Sequence, residues 1–266
     1  MSIADRTTII RAGLGVAVKA AVALALVACG FSPSGAGDGD GGGTGSDAQA
    51  TIDAAEDDGA QARPFCDREN PDLRLCMTFE ESAMDESGSG IVVDTMEDLG
   101  FGPGKVGAAV QLTASSAIHV TESTALDVTT ALTMEAFVFV AQMPANRAGI
   151  MDNNGQWGMW VGSNMRPYCT MSGSTVSGPT IATGQWTHIA CTFDNLTFRI
   201  YVDGALFGTV NRQVPAPTTG VDGMNLGQDC TPAGADDPLS GALDEVRIWA
   251  SPRNDAQIAA AATRAM

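Results

Sequence analysis

The sequence has few basic residues and few histidines. Its 266 residues include 14 Lys and Arg against 31 Asp and Glu, which gives a formal net charge of −17, and there are two histidines. A chain this acidic does not use its net charge to bind nucleic acid or anionic lipid. No two of the six cysteines lie closer than ten residues apart, so a zinc site is not favoured either.

Long apolar runs are also missing. The stretch Ala20–Ala28, which follows the cationic Arg6 and Arg11, is too short to span a bilayer but has the length of a signal-peptide core. Leu26-Val27-Ala28-Cys29 resembles the lipobox of bacterial lipoproteins. The resemblance implies cleavage after residue 28 and lipidation of Cys29, and Gly30 after it favours the outer membrane. The alternative is an ordinary secretory signal with an incidental cysteine.

The segment 29–63 is rich in Gly, Ala, Ser and Asp and carries seven acids against the single base Arg63. Such a composition buries too little apolar surface to offset the entropy of ordering, so the segment is predicted to be a disordered tether. Without residues 1–28 the chain loses three bases and one acid, and its formal charge moves from −17 to −19.

Residues 64–266 are predicted to form one all-β domain with hardly any helix. Short β-branched and aromatic runs alternate with Gly, Pro, Asn and Asp. Asp203-Gly204 predicts a tight hairpin. A short C-terminal helix is predicted with Asn254 as N-cap and Gln257 at the reciprocal position. The predicted strands are 75–80, 107–113, 117–120, 132–140, 148–153, 156–161, 165–171, 186–193, 196–202, 205–210, 224–227 and 241–249. This pattern indicates a two-sheet antiparallel sandwich of jelly-roll type.

Several motifs resemble the laminin-G-like, concanavalin A-like domains of bacteria. They include GQWTHIACTFD at 184–194, RIYVDG at 199–204 and LSGALDEVRIW at 239–249, and the resemblance extends over residues 73–263. It implies a jelly-roll sandwich that binds glycans or proteins. Since one fold hosts lectins and β-glucanases alike, the motifs do not fix the function.

We expect no catalysis. β-Glucanases of this fold place their carboxylates on one strand as Glu-x-Asp-x-x-Glu, and this run is absent, as are a Gly-x-Ser-x-Gly elbow and a phosphate-binding Gly-rich loop. Asp244 and Glu245 are consecutive in a strand, so they are expected to face opposite ways and cannot form a joint acid/base pair.

The sequence favours a surface binding module for carbohydrate, and the resemblance implies a ligand site on rim loops or the concave sheet. The candidate loop contains Asp152, Asn153, Asn154 and Trp157, which offer a carboxylate, amides and an indole. The opposing interpretation is a tight Asn-Gly hairpin with Trp157 turned inward. An adhesion domain that contacts another surface protein is the alternative function.

Cysteine spacing predicts disulfides in an exported chain. Cys66 and Cys76 flank a turn signal, and Cys169 and Cys191 lie in strands predicted to be neighbours in one sheet, with Cys191–Cys230 as the competing pair.

The sequence also offers a structural calcium site, formed by Asp244 and oxygens from the Glu80–Asp85 region. The candidate calcium ligands are Asp85 and Asp244. The expected location is the cell envelope, with membrane contact through the lipid alone.

Overall fold

A computed structural model describes residues 65–128, 130–153, 155–211, 223–229 and 236–264. The predictions for the signal peptide, the tether and residues Cys29, Asn154 and Cys230 lie outside these ranges. Within them, no helix is long and apolar enough to cross a membrane.

Two antiparallel sheets form a jelly-roll sandwich, which confirms the predicted fold class. The eight-stranded sheet contains β1 (Leu73–Met77), β3 (Gly100–Pro103), β4 (Ala108–Leu112), β6 (Leu132–Val140), β11 (Trp186–Phe193), β12 (Thr197–Val202), β13 (Ala205–Asn211) and β15 (Gly241–Trp249). Its order is β13-β12-β11-β6-β15-β4-β3, and β1 pairs with β15.

The second sheet has seven strands in the order β10-β9-β8-β7-β14-β5-β2. These strands are β2 (Val93–Glu97), β5 (Ala117–Val120), β7 (Arg147–Asn153), β8 (Trp157–Gly162), β9 (Pro167–Met171), β10 (Ser174–Ser177) and β14 (Met224–Leu226). Inward side chains of both sheets form one large core cluster between the layers, as alternation along each strand requires.

The predicted local signals at the end of the domain are confirmed. Asp203 and Gly204 both have positive φ, 49° and 78°, as the two-residue hairpin between β12 and β13 requires. Helix α1 (Asp255–Ala262) begins with a complete capping box between Asn254 and Gln257. It packs on the outer face of the eight-stranded sheet through Ile258, which contacts Ala190 and Tyr201.

Both predicted disulfides are present. Cys66–Cys76 ties the start of the domain to β1. Cys169–Cys191 joins β9 to β11. These two strands lie in opposite sheets, so the prediction that they are neighbours in one sheet is wrong. The bond crosses the core instead and fixes one layer of the sandwich against the other.

Candidate functional site

The loop predicted to bind a ligand is buried where the structure describes it. Trp157 is 1% exposed and belongs to the core, and its Nε1 donates to the carbonyl oxygen of Leu126 at 3.4 Å. Asn153 is also buried and donates to Leu126 O at 3.2 Å and Gln156 Oε1 at 3.0 Å. Asp152 is 4% exposed. The structure therefore has the inward hairpin, and these side chains present no surface for stacking on a sugar.

An accessible aromatic side chain instead lies on the outer face of the seven-stranded sheet. Met159 and Val161 of β8 face the core, so the intervening Trp160 points outward. Its register partner Tyr168 in β9 does the same, and the two rings stack with centroids 5.5 Å apart and planes 19° apart. Trp160 is 5% exposed, whereas Tyr168 is half-buried and keeps accessible surface. The alternation of inward and outward side chains along β8 and β9 is the feature of the sequence that identifies this pair.

Tyr168 borders a small polar cleft of about 290 Å³. The lining residues come from the ends of β7 to β10 and the turns between them: Asn146, Arg147, Gly162, Ser163, Asn164, Arg166, Tyr168 and Ser177. They provide amides, hydroxyls and two guanidinium groups next to an aromatic ring. This combination can hydrogen-bond a hydroxylated ligand while one face of the ligand lies on the tyrosine.

The two arginines of the cleft differ in their partners. Arg147 forms ion pairs with Asp229 and Asp237, the latter at 2.5 Å. Burial lowers the pKa of Arg147, but its hydrogen bonds with Asp237 and Tyr168 outweigh that effect and raise it. Arg166 is exposed and donates through Nε to the carbonyl oxygen of Gly178 at 2.9 Å.

Near Arg147, the carboxylates of Asp229, Asp236 and Asp237 lie within 4.8 Å of one another. This spacing is compatible in principle with a metal ion. Two of the three carboxylates already contact the guanidinium of Arg147, which supplies positive charge at the same place.

A second acidic cluster lies at a bulge in β15. Between Asp244 and Arg247 the register with β6 slips by one residue, and Glu245 has a φ of 52°. Leu243 and Val246 both face the core, so Asp244 and Glu245 lie together on the outer side. The prediction that they face opposite ways is therefore wrong, because the bulge interrupts the alternation.

The loop Gly104–Gly107 closes over this cluster. Val106 N donates to Asp244 Oδ2 at 2.9 Å, and Ala108 N donates to Glu80 Oε2 at 3.0 Å. A Cβ atom at Gly104 would lie 2.6 Å from Asp244 Oδ2, so only glycine fits there. The structure thus places Glu80 beside Asp244. Asp85 instead accepts hydrogen bonds from Cys76 N and from Ser87 and Ser89 of its own loop.

Burial perturbs both carboxyls of the bulge. Loss of water raises the pKa of Asp244 to about 6, against backbone donors that lower it, and Glu80 raises it further. Loss of water also raises the pKa of Glu245 to about 8, with Asp244 and Glu80 adding to the increase and Arg264 opposing it. Asp244 Oδ1 and Glu245 Oε2 are buried without a hydrogen bond. Glu245 Oε2 lies 3.5 Å from Arg264 Nε, which leaves the buried Asp244 Oδ1 as the oxygen with the character of a calcium ligand.

Sequence reasoning missed the role of Glu135, a fully buried carboxylate on the outer face of β6. It lies 2.9 Å from Arg247 and 2.5 Å from Arg253, and it accepts from Trp249 Nε1 at 3.0 Å. Burial by itself would raise the pKa of Glu135, but the two arginines hold it far below its usual range. His188 Nε2 lies 3.5 Å from its other oxygen. Because Arg247, Arg253 and the indole N–H of Trp249 compensate its buried charge, the carboxylate of Glu135 has a structural role rather than a binding role.

Solved structures of similar architecture include two kinds of binding domain. Domain 4 of AbnA, a GH43 extracellular arabinanase from Geobacillus stearothermophilus in complex with arabinotriose, has 21% identity and a TM-score of 0.56, covering 72% of this chain and 98% of that domain. The binding domain of botulinum neurotoxin DC in complex with rat synaptotagmin II has 14% identity and a TM-score of 0.56, covering 72% of this chain and 51% of that one.

The same neurotoxin domain in complex with SialylT has 14% identity and a TM-score of 0.55, covering 72% of this chain and 50% of that one. At these identities the likeness concerns the fold. No curated protein matches the chain in sequence. The family model described as the concanavalin A-like lectin/glucanases superfamily, Laminin_G_3, matches residues 112–259, more than half of the chain. The sandwich, its motifs and this match agree, and the chain belongs to the Laminin_G_3 family of that superfamily.

Proposed function

We propose that the protein is a noncatalytic binding module that holds a carbohydrate in the cleft at the ends of β7 to β10. The observation that carries the proposal is the position of Tyr168 at this cleft, with the ring of Trp160 stacked beside it. A sugar ring has an apolar face and a rim of hydroxyls. The tyrosine matches the face, while Asn146, Asn164 and the neighbouring serines match the rim.

Two features support binding without catalysis. Within the part of the chain that the structure describes, the residues that line the cleft include no carboxylate, whereas glycoside hydrolysis uses a pair of them across one bond. The carboxylates that contact Arg147, those of Asp229 and Asp237, are bound to its guanidinium. The glycan ligands of the arabinanase domain and of the neurotoxin domain also favour a sugar.

The test is retention of the purified full chain on immobilised polysaccharides, followed by titration with the polymers that retain it. We expect Tyr168→Ala to weaken binding about tenfold, since loss of one stacking side chain costs on the order of 1–2 kcal/mol. Leu196→Ala is the matched control, because Leu196 is an exposed apolar residue of another loop. Equal retention of the two variants would rule out this cleft as the site.

We also propose that the domain is exported and tethered to the cell envelope, in the outer membrane, through a lipid on Cys29. The two disulfides support export, because such bonds persist in oxidising compartments. Metabolic labelling with a fatty acid checks the anchor: Cys29→Ala should lose the label and release the protein from the membrane fraction.

The acidic cluster at the bulge of β15 is proposed to hold a structural calcium ion. Asp244 would be the main ligand, with Glu80 beside it, because the buried Asp244 Oδ1 accepts no hydrogen bond. Bound calcium would offset the mutual repulsion of these carboxylates and fix the loop Gly104–Gly107.

A protein partner remains the second candidate function. It is favoured by β13, an edge strand on which Leu206 and Phe207 are 47% and 53% exposed. Unpaired backbone groups and exposed apolar side chains on one edge suit the addition of a partner strand. Capture of a partner protein that Phe207→Lys abolishes, with no polysaccharide retained, would favour this candidate over the first.

A further inference from the structure

We propose that the cleft takes a sugar that carries a carboxylate, a uronic acid residue of an acidic polysaccharide, and that Arg166 holds that carboxylate. The inference rests on the proposed function and names the ligand class of the same cleft. It follows from the distribution of charge around Tyr168.

Basic side chains line the cleft, although the protein as a whole is acidic. The whole chain carries a net charge of −17, yet the lining of the cleft, among the described residues, includes two arginines and no acid. A neutral sugar needs no guanidinium, since amides and hydroxyls are sufficient to bind its hydroxyl groups. A cationic side chain within an otherwise acidic surface therefore indicates an anionic group on the ligand.

Arg147 does not supply this charge to a ligand. Its guanidinium is bound by Asp229 and by Asp237, the latter at 2.5 Å. Asn146 also donates to Asp237, at 3.4 Å. The positive charge of Arg147 is thus matched within the protein, and its part in the cleft is to lie over Trp160, with 5.6 Å between its Cζ atom and the ring centroid.

Arg166 is arranged differently. Its Nε donates to the carbonyl oxygen of Gly178 at 2.9 Å, which fixes the side chain at the cleft. Among the described residues, no carboxylate lies within 4.0 Å of its guanidinium, and its two terminal nitrogens have no acceptor. These nitrogens form a planar pair of donors with the geometry of a carboxylate, and they would bind its two oxygens in parallel.

The neighbours of Arg166 complete a site for one sugar residue. Asn164 accepts from Arg166 N at 3.1 Å, which holds the turn between β8 and β9 in shape. Ser163 and Ser177 are exposed at the same cleft, beside Tyr168. A ring on the tyrosine would direct its hydroxyls to the serines and its carboxylate to Arg166.

The experiment is calorimetric titration of the full chain with polygalacturonate and with the same polymer after reduction of its carboxyl groups. Both polymers present the same ring and linkage, so they differ only in the carboxylate. We expect the acidic polymer to bind at least tenfold more tightly at low salt. Arg166→Gln should weaken binding of the acidic polymer about tenfold, in line with a charged hydrogen bond at an exposed position.

Arg68→Gln is the matched control. Arg68 is another exposed arginine whose Nε donates to a backbone carbonyl, that of Glu86, at 2.9 Å, but it lies outside the cleft. Its replacement should leave binding unchanged. Arg166→Lys should recover only part of the affinity, because an ammonium group cannot form the parallel pair. Unchanged melting curves would exclude a folding defect.

The outcomes separate the two proposals. Equal affinity for acidic and reduced polymer, or an unaltered Arg166→Gln variant, would overturn the inference, while loss of binding in Tyr168→Ala would still support the cleft as a sugar site. A preference for dextran sulfate over polygalacturonate would overturn it as well. Failure of every polysaccharide to bind would reject both.

Discussion

The ring of Tyr168 lies on the ring of Trp160, with centroids 5.5 Å apart and planes 19° apart. The two residues are register partners in neighbouring strands, so the backbone holds the tyrosine in place and the indole covers one face of its ring. Such an aromatic side chain loses little conformational freedom on binding, which is an advantage for a flat ligand.

The two rings should respond differently to truncation. Trp160→Ala should lower the free energy of unfolding by about 3 kcal/mol, because a side chain that is 5% exposed leaves a cavity. Tyr168→Ala should lower the free energy of unfolding less than Trp160→Ala does, and it should weaken polysaccharide binding more. Urea denaturation together with polysaccharide titration distinguishes the two effects. Equal loss of stability in both variants would contradict this division of roles.

The disulfide between the sheets should contribute substantially to stability. Cys169 and Cys191 are separated by 22 residues, and closing a loop of this size restricts the unfolded chain by about 3 kcal/mol. Replacing both cysteines with alanine should lower the midpoint of unfolding in guanidinium. Adding a reductant to the wild-type protein should also lower it. An unchanged midpoint in the double variant would show that packing alone holds the layers together.

Stability without metal should fall as the pH rises. The folded state keeps protons on Asp244 and Glu245 up to pKa values of about 6 and 8, against ordinary values of 3.8 and 4.5. At these two groups the folded state binds more protons than the unfolded state between these limits, so the stability that they contribute is fully present below about pH 4 and is lost towards pH 8. Glu135, whose pKa is held far below its usual range, acts in the opposite sense, but only at acidic pH, so the decline is measured between about pH 5 and pH 8. Thermal melts in EDTA across this range measure the decline. In Asp244→Asn the slope should be shallower.

Calcium should reverse that decline. Because the ion binds deprotonated carboxylates in the folded state, millimolar calcium should raise the melting temperature at pH 8 and have little effect at pH 5. Asp244→Asn should abolish the response. Asp236→Asn is the control, because Asp236 belongs to the other acidic cluster, near Arg147. Loss of the calcium response in Asp236→Asn alone would assign the ion to that cluster.

Removing the carboxylate of Glu135 should destabilise the domain strongly. Glu135→Ala leaves Arg247, which is 7% exposed, buried without its anionic partner. Breaking a buried ion pair in this way costs about 3–5 kcal/mol. The double variant Glu135→Leu with Arg247→Met should recover much of this loss in denaturant unfolding. Absence of recovery would indicate that Arg253 and Trp249 also require the carboxylate.

The sequence does not predict three of the strands, β2, β3 and β10, and all three lie at sheet edges. Within β2 only Val93 is buried, so its sequence lacks the apolar alternation that a strand between two neighbours needs. The meander of β11, β12 and β13 was predicted because Asp203-Gly204 fixes its last turn independently of distant contacts.

The class of the sandwich, its capped C-terminal helix and its family motifs can be read from the sequence, because they depend on local periodicity, turn chemistry and residue spacing. The sequence predicted both cysteine pairs but not that Cys169 and Cys191 face each other across the core. The burial of Trp157, the cleft beside Tyr168 and the shared side of Asp244 and Glu245 became apparent in the folded protein alone. The physical reason is that alternation assigns neighbouring residues to opposite faces, whereas the layer packed on each face and the position of a bulge depend on segments far away in the chain.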